Sequence, residues 1–220
     1  DISTPEQILE AFRFYNAGGS RNKDGSLQGY DYAYDVLAWA EIYSGRITAP
    51  FGSPVKNSKA VQTAGYHSLS YLQRFGVQHD GVDLALKKAD LENGFPDIIA
   101  TQDGDLVYAK WDNGFGFFAI VCSGNTVASN CSVYAHMAER NISRNNIPEY
   151  IQKGMISQFT DKQLRQIEVL GYAGKVKKGT VIGKMGSTGF STKEHLHYQV
   201  NRKVLNRPWS AQNPSDYYIS

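Results

Sequence analysis

The sequence lacks the features that mark several common protein classes. No stretch approaches the 18 or so apolar residues of a membrane-spanning helix, so no membrane span is expected. The net charge is only +2, unlike a polybasic nucleic-acid binder, so no nucleic-acid partner is expected. Hydrophobic residues make up 41% and charged residues 20%, which is ordinary globular usage and argues against disorder or a coiled coil. The 220 residues suffice for one domain, or for one domain plus an appendage.

Cysteine is also scarce, with only Cys122 and Cys131 in the whole chain. The eight residues between them are rich in turn formers and follow a strand-like apolar run. This spacing predicts a hairpin closed by one disulfide, and therefore an oxidising compartment. The alternative is two free thiols in a cytosolic protein.

What is abundant points to a strand-rich and turn-rich body: 14 tyrosines, 10 phenylalanines and 21 glycines. Two helices are predicted first, one starting at the cap Thr4 and one over residues 30–43. Residues 1–46 are therefore interpreted as a helical segment or linker, or as the tail of an upstream module. Short strand-like runs then follow at 82–86, 98–100, 106–110, 117–121, 132–136, 180–184 and 196–200.

These runs predict a mainly β, antiparallel domain over residues 47–220, interrupted by an insertion at about 140–173. Within that insertion a capping box, Thr160-Asp-Lys-Gln163, predicts a helix that continues through Leu170 and stops at Gly171.

Four of the five histidines lie in patterns that suggest chemistry. His79 and Asp83 are four residues apart, and Gly81 between them offers the bend that would let both bind one metal. His195 and His197 share one face of a strand, so one can bind a metal while the other acts on its water. The alternative for the first pattern is a surface histidine and an aspartate in a turn. For His136, in Tyr134-Ala-His136-Met, the alternative is a hydrogen-bonded histidine at a strand end. His67 is interpreted as a surface or rim residue.

Together, His79, Asp83 and one member of the 195/197 pair form a set of two histidines and one carboxylate. That set is typical of hydrolytic zinc sites with an open fourth position. Iron sites of the facial-triad type share the same ligands. Two imidazoles are left over, the other member of the 195/197 pair and His136. They favour hydrolysis, because one can serve as a base and one as a transition-state stabiliser.

The order of these motifs resembles a known family, the M23 (LytM/lysostaphin-like) zinc peptidases. The resemblance covers roughly residues 47–220 and rests on six segments: Ile47-Thr-Ala-Pro-Phe-Gly52, His79-x-x-x-Asp83, Tyr-Ala-His136, Lys177-Lys-Gly-Thr-Val-Ile-Gly183, Gly186-x-Thr-Gly-x-Ser-Thr and His195-Leu-His197-Tyr.

The resemblance implies an endopeptidase that cuts peptide cross-links of bacterial peptidoglycan, in the stem or the cross-bridge. It implies zinc bound by His79, Asp83 and His197. It also implies His195 as general base and His136 as stabiliser of the oxyanion. The expected location is extracellular or at the cell wall, in a secreted or virion-associated protein.

This sequence departs from the family pattern in three places: the long segment between His136 and His195, the Cys122/Cys131 hairpin, and the turn that reads Ser-Thr-Lys193-Glu194-His. The 58 residues between His136 and His195 are more than a compact family core needs. The N-terminal segment faintly resembles the end of a muralytic module, which would suit a phage tail or secretion assembly. The alternatives are a packed linker, or an inhibitory arm in which Asn16 or Asn22 caps the metal. The competing function is a catalytically silent LytM-like binding module.

Overall fold

The structure is a computed structural model that describes residues 4–23, 28–44, 48–91, 94–124, 128–143, 145, 147–205 and 207–217. The α-helices are α1 (Pro5–Ala17), α2 (Tyr30–Tyr43), α3 (Leu69–Phe75), α4 (Glu149–Ile156) and α5 (Asp161–Leu164). The strands are β1 (Val61–Ala64), β2 (Val82–Ala85), β3 (Asp97–Ile99), β4 (Gly104–Trp111), β5 (Gly116–Gly124), β6 (Ala128–Met137), β7 (Glu168–Val176), β8 (Val181–Lys184), β9 (Leu196–Val204) and β10 (Ser210–Gln212). Short 3₁₀ helices span Lys88–Leu91 and Pro214–Tyr217.

One antiparallel sheet organises the molecule. Its strands lie in the order β1-β2-β9-β6-β5-β4-β7, and β10 also pairs with β9. A smaller sheet pairs β3 with β8. All seven strand runs predicted from the sequence overlap observed strands, so the mainly β, antiparallel fold class is confirmed.

Both faces of the large sheet are covered, and the side chains of β9 alternate between these two faces. Leu196 and Tyr198 point into a core that includes Ile98 and Ile182 of the small sheet. On the opposite face, residues of β5 and β6 pack against Met155 and Phe159 from the segment after β6. Burial of each large side chain contributes about 1.5–3 kcal/mol. His197, between Leu196 and Tyr198, therefore points to the face that this later segment covers.

The helix predicted after Thr160 is shorter than expected. The capping box forms, with Thr160 accepting from the Gln163 N–H, but α5 ends at Leu164. Residues 168–176 instead form β7, which pairs with β4 at the edge of the sheet. The edge of β4 offers a row of hydrogen bonds, and β7 packs Leu170 on one face and Val169 on the other. A period-two strand thus replaces the helical period inferred from Ile167 and Leu170.

The two N-terminal helices have the predicted bounds and pack on each other and on β9. Their cluster includes Leu9, Leu37 and Val204, and Asp35 pairs with Arg202 at 2.5 Å. Val204 lies seven residues from His197, which is roughly 23 Å along the strand. This packing at the far end of β9 gives no support to an inhibitory arm that reaches His197.

Cys122 and Cys131 are joined by a disulfide across directly opposed positions of β5 and β6. Replacing both cysteines with alanine is expected to lower the free energy of unfolding by about 2–3 kcal/mol, because the short loop is no longer closed in the unfolded chain. Urea unfolding of the oxidised protein and the double variant measures this difference. Equal midpoints and slopes would contradict it.

Candidate metal centre

Strand pairing brings Asp83 and His197 together. Antiparallel β2 and β9 place these two residues directly opposite each other, so their side chains emerge on the same face of the sheet. His197 Nδ1 lies 3.0 Å from Asp83 Oδ1. Both side chains are largely buried.

His79 reaches the same point from the loop before β2. Gly81 makes this possible, because a Cβ there would lie 2.5 Å from the Tyr198 carbonyl oxygen and 2.8 Å from the His197 ring. His79 Nε2 lies 3.1 Å from Asp83 Oδ1 and 3.0 Å from His197 Nδ1. Three potential ligand atoms therefore form a nearly equilateral triangle.

The proton positions around this triangle favour a cation. His79 Nδ1 donates to the Gly65 carbonyl oxygen at 2.7 Å, so Nε2 of the neutral ring carries a lone pair. That lone pair faces a carboxylate oxygen of Asp83, and the two repel unless a proton or a metal ion lies between them. Bonds of about 2.0–2.2 Å at tetrahedral angles place donor atoms roughly 3.3 Å apart. Two imidazoles and a carboxylate at this spacing therefore fit zinc.

The charges agree with this interpretation. Burial alone would lower the pKa of His79, but the hydrogen bond and charge of Asp83 outweigh burial and raise it. Burial likewise works against ionisation of Asp83, yet the neighbouring imidazoles of His197 and His79 hold the pKa of its carboxyl well below its usual range. The carboxylate is thus ionised at neutral pH, as a metal ligand must be.

His136 enters the site through a bulge in β6. Tyr134 pairs with Ala119 and Met137 with Phe117, so two residues of β6 oppose one of β5. His136 takes the left-handed backbone conformation, with φ of 59°. This conformation costs about 1–3 kcal/mol, and it turns the ring into the cleft that Asp83 also lines.

Thr188 holds the His136 ring in place. The Thr188 carbonyl oxygen accepts from His136 Nδ1 at 2.8 Å. The Thr188 hydroxyl donates to the Met137 carbonyl oxygen at 2.8 Å and accepts from the Phe117 N–H at 2.9 Å. These bonds orient the ring so that Nε2 of His136 faces the cleft. Burial and the neighbouring His195 lower the pKa of this imidazole to about 4.

His195 lies beside His136, with ring centroids 4.7 Å apart. Its Nδ1 donates to the Lys193 carbonyl oxygen at 2.8 Å, which leaves the Nε2 lone pair free. Nε2 is 3.8 Å from Asp83 Oδ1 and lies outside the triangle of ligand atoms. An unprotonated nitrogen next to a metal site suits a general base.

All five residues predicted from the sequence therefore surround one cleft of about 1130 Å³ or the triangle at its base. His67 remains outside, paired with Asp80 and partly exposed. Sequence reasoning missed two supporting residues. Thr188 lay within the recognised glycine turn, so its place in that motif was a usable signal. Phe115, whose ring stacks on His197 at 5.5 Å, had no such signal.

One sequence comparison supports the resemblance found in the sequence. Residues 152–211 match the sequence model of peptidase family M23. The resemblance to the M23 peptidases is thereby confirmed. The matched segment contains His195 and His197, whereas His79, Asp83 and His136 precede it. No curated protein sequence matches the chain.

Several solved structures of peptidases and of an M23 protein are similar to this chain. A zinc-containing peptidase from Vibrio cholerae is 19% identical with a TM-score of 0.45, covering 74% of this chain and 39% of its own. The catalytic domain of the prophage-encoded M23 protein EnpA from Enterococcus faecalis is 21% identical with a TM-score of 0.47, covering 77% and 98%. The catalytic domain of the antimicrobial peptidase lysostaphin from Staphylococcus simulans is 27% identical with a TM-score of 0.41, covering 71% and 90%. The chain thus spans well under half of the Vibrio peptidase.

The candidate metal centre should be sensitive to a single methyl group at Gly81. Gly81→Ala places a Cβ against the His197 ring and the Tyr198 carbonyl, and is expected to destabilise the fold by about 1–3 kcal/mol. Gly154→Ala is the matched control, because nothing lies within 4 Å of a Cβ at that exposed helical position. Unfolding by urea measures both variants. A Gly81→Ala protein as stable as Gly154→Ala would contradict the close packing described here.

Proposed function

We propose that this chain is a zinc-dependent endopeptidase that hydrolyses peptide cross-links of bacterial peptidoglycan. The observation that carries the proposal is the convergence of His79 Nε2, Asp83 Oδ1 and His197 Nδ1 within 3.1 Å, beside two further imidazoles. A site built only for structure would have no need of two more histidines whose Nε2 atoms make no hydrogen bond within the described part of the chain.

The residues have separable roles in this reaction. Bound zinc would supply an acidified water and a positive charge for the scissile carbonyl. His195 Nε2 accepts the proton of the attacking water, because its Nδ1 proton is held by the Lys193 carbonyl. The same proton can then pass to the leaving amine.

His136 stabilises the oxyanion that develops on the substrate. Its ring is neutral at pH 7 in the free protein, because its pKa is lowered to about 4. An oxyanion opposite Nε2 raises this pKa, as any nearby negative charge does, and favours the imidazolium that donates a hydrogen bond. Thr188 keeps the ring aimed by accepting from Nδ1.

The cleft also suits a peptide. Tyr71, Phe75 and Phe190 form apolar walls, and the Phe75 and Phe190 rings meet edge to face at 6.1 Å. We propose an extracellular or cell-wall location, in a secreted or virion-associated protein, which agrees with the disulfide between Cys122 and Cys131. Among the described residues, none of the helices has the length and apolarity that a bilayer crossing requires.

We further propose residues 47–220 as the catalytic unit and residues 1–46 as a helical segment packed on it. An upstream muralytic domain, or a phage tail or secretion assembly, remains the predicted partner of that segment. The alternative function, a catalytically silent binding module, requires that a ligand or catalytic histidine be lost. All five are present in this sequence, so the enzyme is favoured.

Digestion of purified peptidoglycan tests the proposal. Sacculi with direct cross-links and sacculi with glycyl bridges are incubated with the zinc-loaded protein, and new amino termini are counted. Cleavage of one type names the bond. Binding to sacculi without any new amino termini, in protein that holds zinc, would overturn the peptidase in favour of the silent module.

A further inference from the structure

A chain of three amide side chains connects His197 to the segment after β6. We propose that Gln158, in that segment, is a positioning residue that fixes which ring nitrogen of His197 carries the proton. The inference rests on the proposed zinc site, because it concerns how one of its ligands is prepared. Gln158 lies in the turn after α4, far from His197 in sequence.

The connection runs along the site face of β9. His197 Nε2 lies 3.5 Å from Gln199 Oε1. Gln199 Nε2 donates to Asn201 Oδ1 at 2.7 Å, and Asn201 Nδ2 donates to Gln158 Oε1. Gln158 Nε2 in turn donates to the Met155 carbonyl oxygen at 2.7 Å, near the end of α4. Alternate residues of β9 face the same side of the sheet, so the strand period aligns His197, Gln199 and Asn201. We call the hydrogen-bonded series His197, Gln199, Asn201 and Gln158 the relay.

The direction of the hydrogen bonds in the relay is set at its Met155 end. A backbone carbonyl can only accept, so the Met155 oxygen requires the NH₂ group of Gln158 and turns its Oε1 toward Asn201. Asn201 must then present its NH₂ group to Gln158 and its oxygen to Gln199. Gln199 finally presents Oε1 to His197. Any single amide flip would oppose two acceptors or two donors.

This direction determines the chemistry of His197. An acceptor at Nε2 favours the tautomer with the proton on Nε2, and Nδ1 then carries the lone pair that points at Asp83 and His79. The opposite tautomer would aim an N–H at the metal position. His197 is largely buried, so water is not a ready substitute for the missing acceptor.

Three variants isolate the relay. Gln158→Leu replaces the amide with an apolar side chain of nearly the same size and so breaks the relay. Gln158→Glu keeps an oxygen that accepts from Asn201. Ser157→Ala is the matched control, because Ser157 Oγ accepts from Trp209 Nε1 at 2.8 Å and so anchors the same turn without entering the relay. Nitrogen NMR of the His197 ring in metal-free protein reports the tautomer, and competition with a chelator reports the affinity for zinc.

Gln158→Leu is expected to shift His197 toward the Nδ1–H tautomer and to weaken zinc binding roughly tenfold, at the low end of the effect of outer-shell partners. Gln158→Glu should keep the wild-type tautomer, because it still accepts from Asn201, and Ser157→Ala should stay near the wild type in both measurements. The proposal is overturned if Gln158→Leu leaves the tautomer unchanged, or if Ser157→Ala weakens zinc binding as much. Because the NMR signal needs neither zinc nor substrate, an inactive wild-type protein would refute the peptidase and leave this test intact.

Discussion

The His195→Ala protein is expected to keep its zinc and to lose most of its turnover. His195 Nε2 lies 3.8 Å from Asp83 Oδ1 and outside the three ligand atoms, so removal of the ring leaves the metal donors in place. Loss of a positioned general base lowers kcat by roughly 10²–10⁴-fold. KM should change little, because the ring is assigned a role in proton transfer and the cleft walls remain.

Zinc content and steady-state peptide cleavage are measured on the same preparation. His67→Asn is the matched control: His67 is a partly exposed histidine paired with Asp80, and asparagine tolerates its left-handed backbone. This control should retain both zinc and activity. Near-full turnover in zinc-loaded His195→Ala would refute the role given to His195.

The His197→Ala protein, unlike His195→Ala, is expected to lose the bound metal itself. The substitution leaves only His79 and Asp83 of the three donors, and removes the ring that Phe115 stacks against. Loss of outer-shell partners already weakens metal binding by about 10–100-fold, so loss of a ligand should weaken zinc binding by more than about a hundredfold. Turnover at ordinary zinc concentrations should therefore be undetectable.

Chelator competition measures the affinity, with His67→Asn again as control. Far-ultraviolet circular dichroism verifies that the sheet remains folded, since His197 is only one position of a long central strand. Stoichiometric zinc of wild-type affinity in His197→Ala would place the metal elsewhere.

The sequence predicted the fold where local patterns coincide with tertiary structure. α1 carries its own capping box and α2 roughly follows an apolar helical period, so the start of α1 and the bounds of α2 could be predicted from the sequence. The seven predicted strands contain β-branched and aromatic runs between turn residues. The helix predicted after Thr160 runs through Leu170 because the period of Ile167 and Leu170 is ambiguous over a short stretch, whereas Glu168–Val176 form a strand. The segment forms a strand because it pairs with the edge of β4, and a single sequence does not show that edge.

The candidate site could be assembled from the sequence because its residues lie in short motifs. His79 and Asp83 flank a glycine that must be a glycine, and His195 and His197 alternate on one strand. The roles given to these residues stay predictions. The bulge that turns His136 into the cleft was not predictable, because it depends on the register between β5 and β6. The relay to Gln158 likewise depends on how a distant turn docks.

Zinc titration of peptide cleavage tests the central claim most directly. The protein is stripped with a chelator, dialysed, and reloaded with increasing zinc while amino termini released from purified peptidoglycan are counted. The structure predicts no cleavage by stripped protein and full recovery at about one zinc per chain, because one set of three ligands is present among the described residues. Equal cleavage by stripped protein, or none at any zinc level, would contradict a zinc peptidase built on His79, Asp83 and His197.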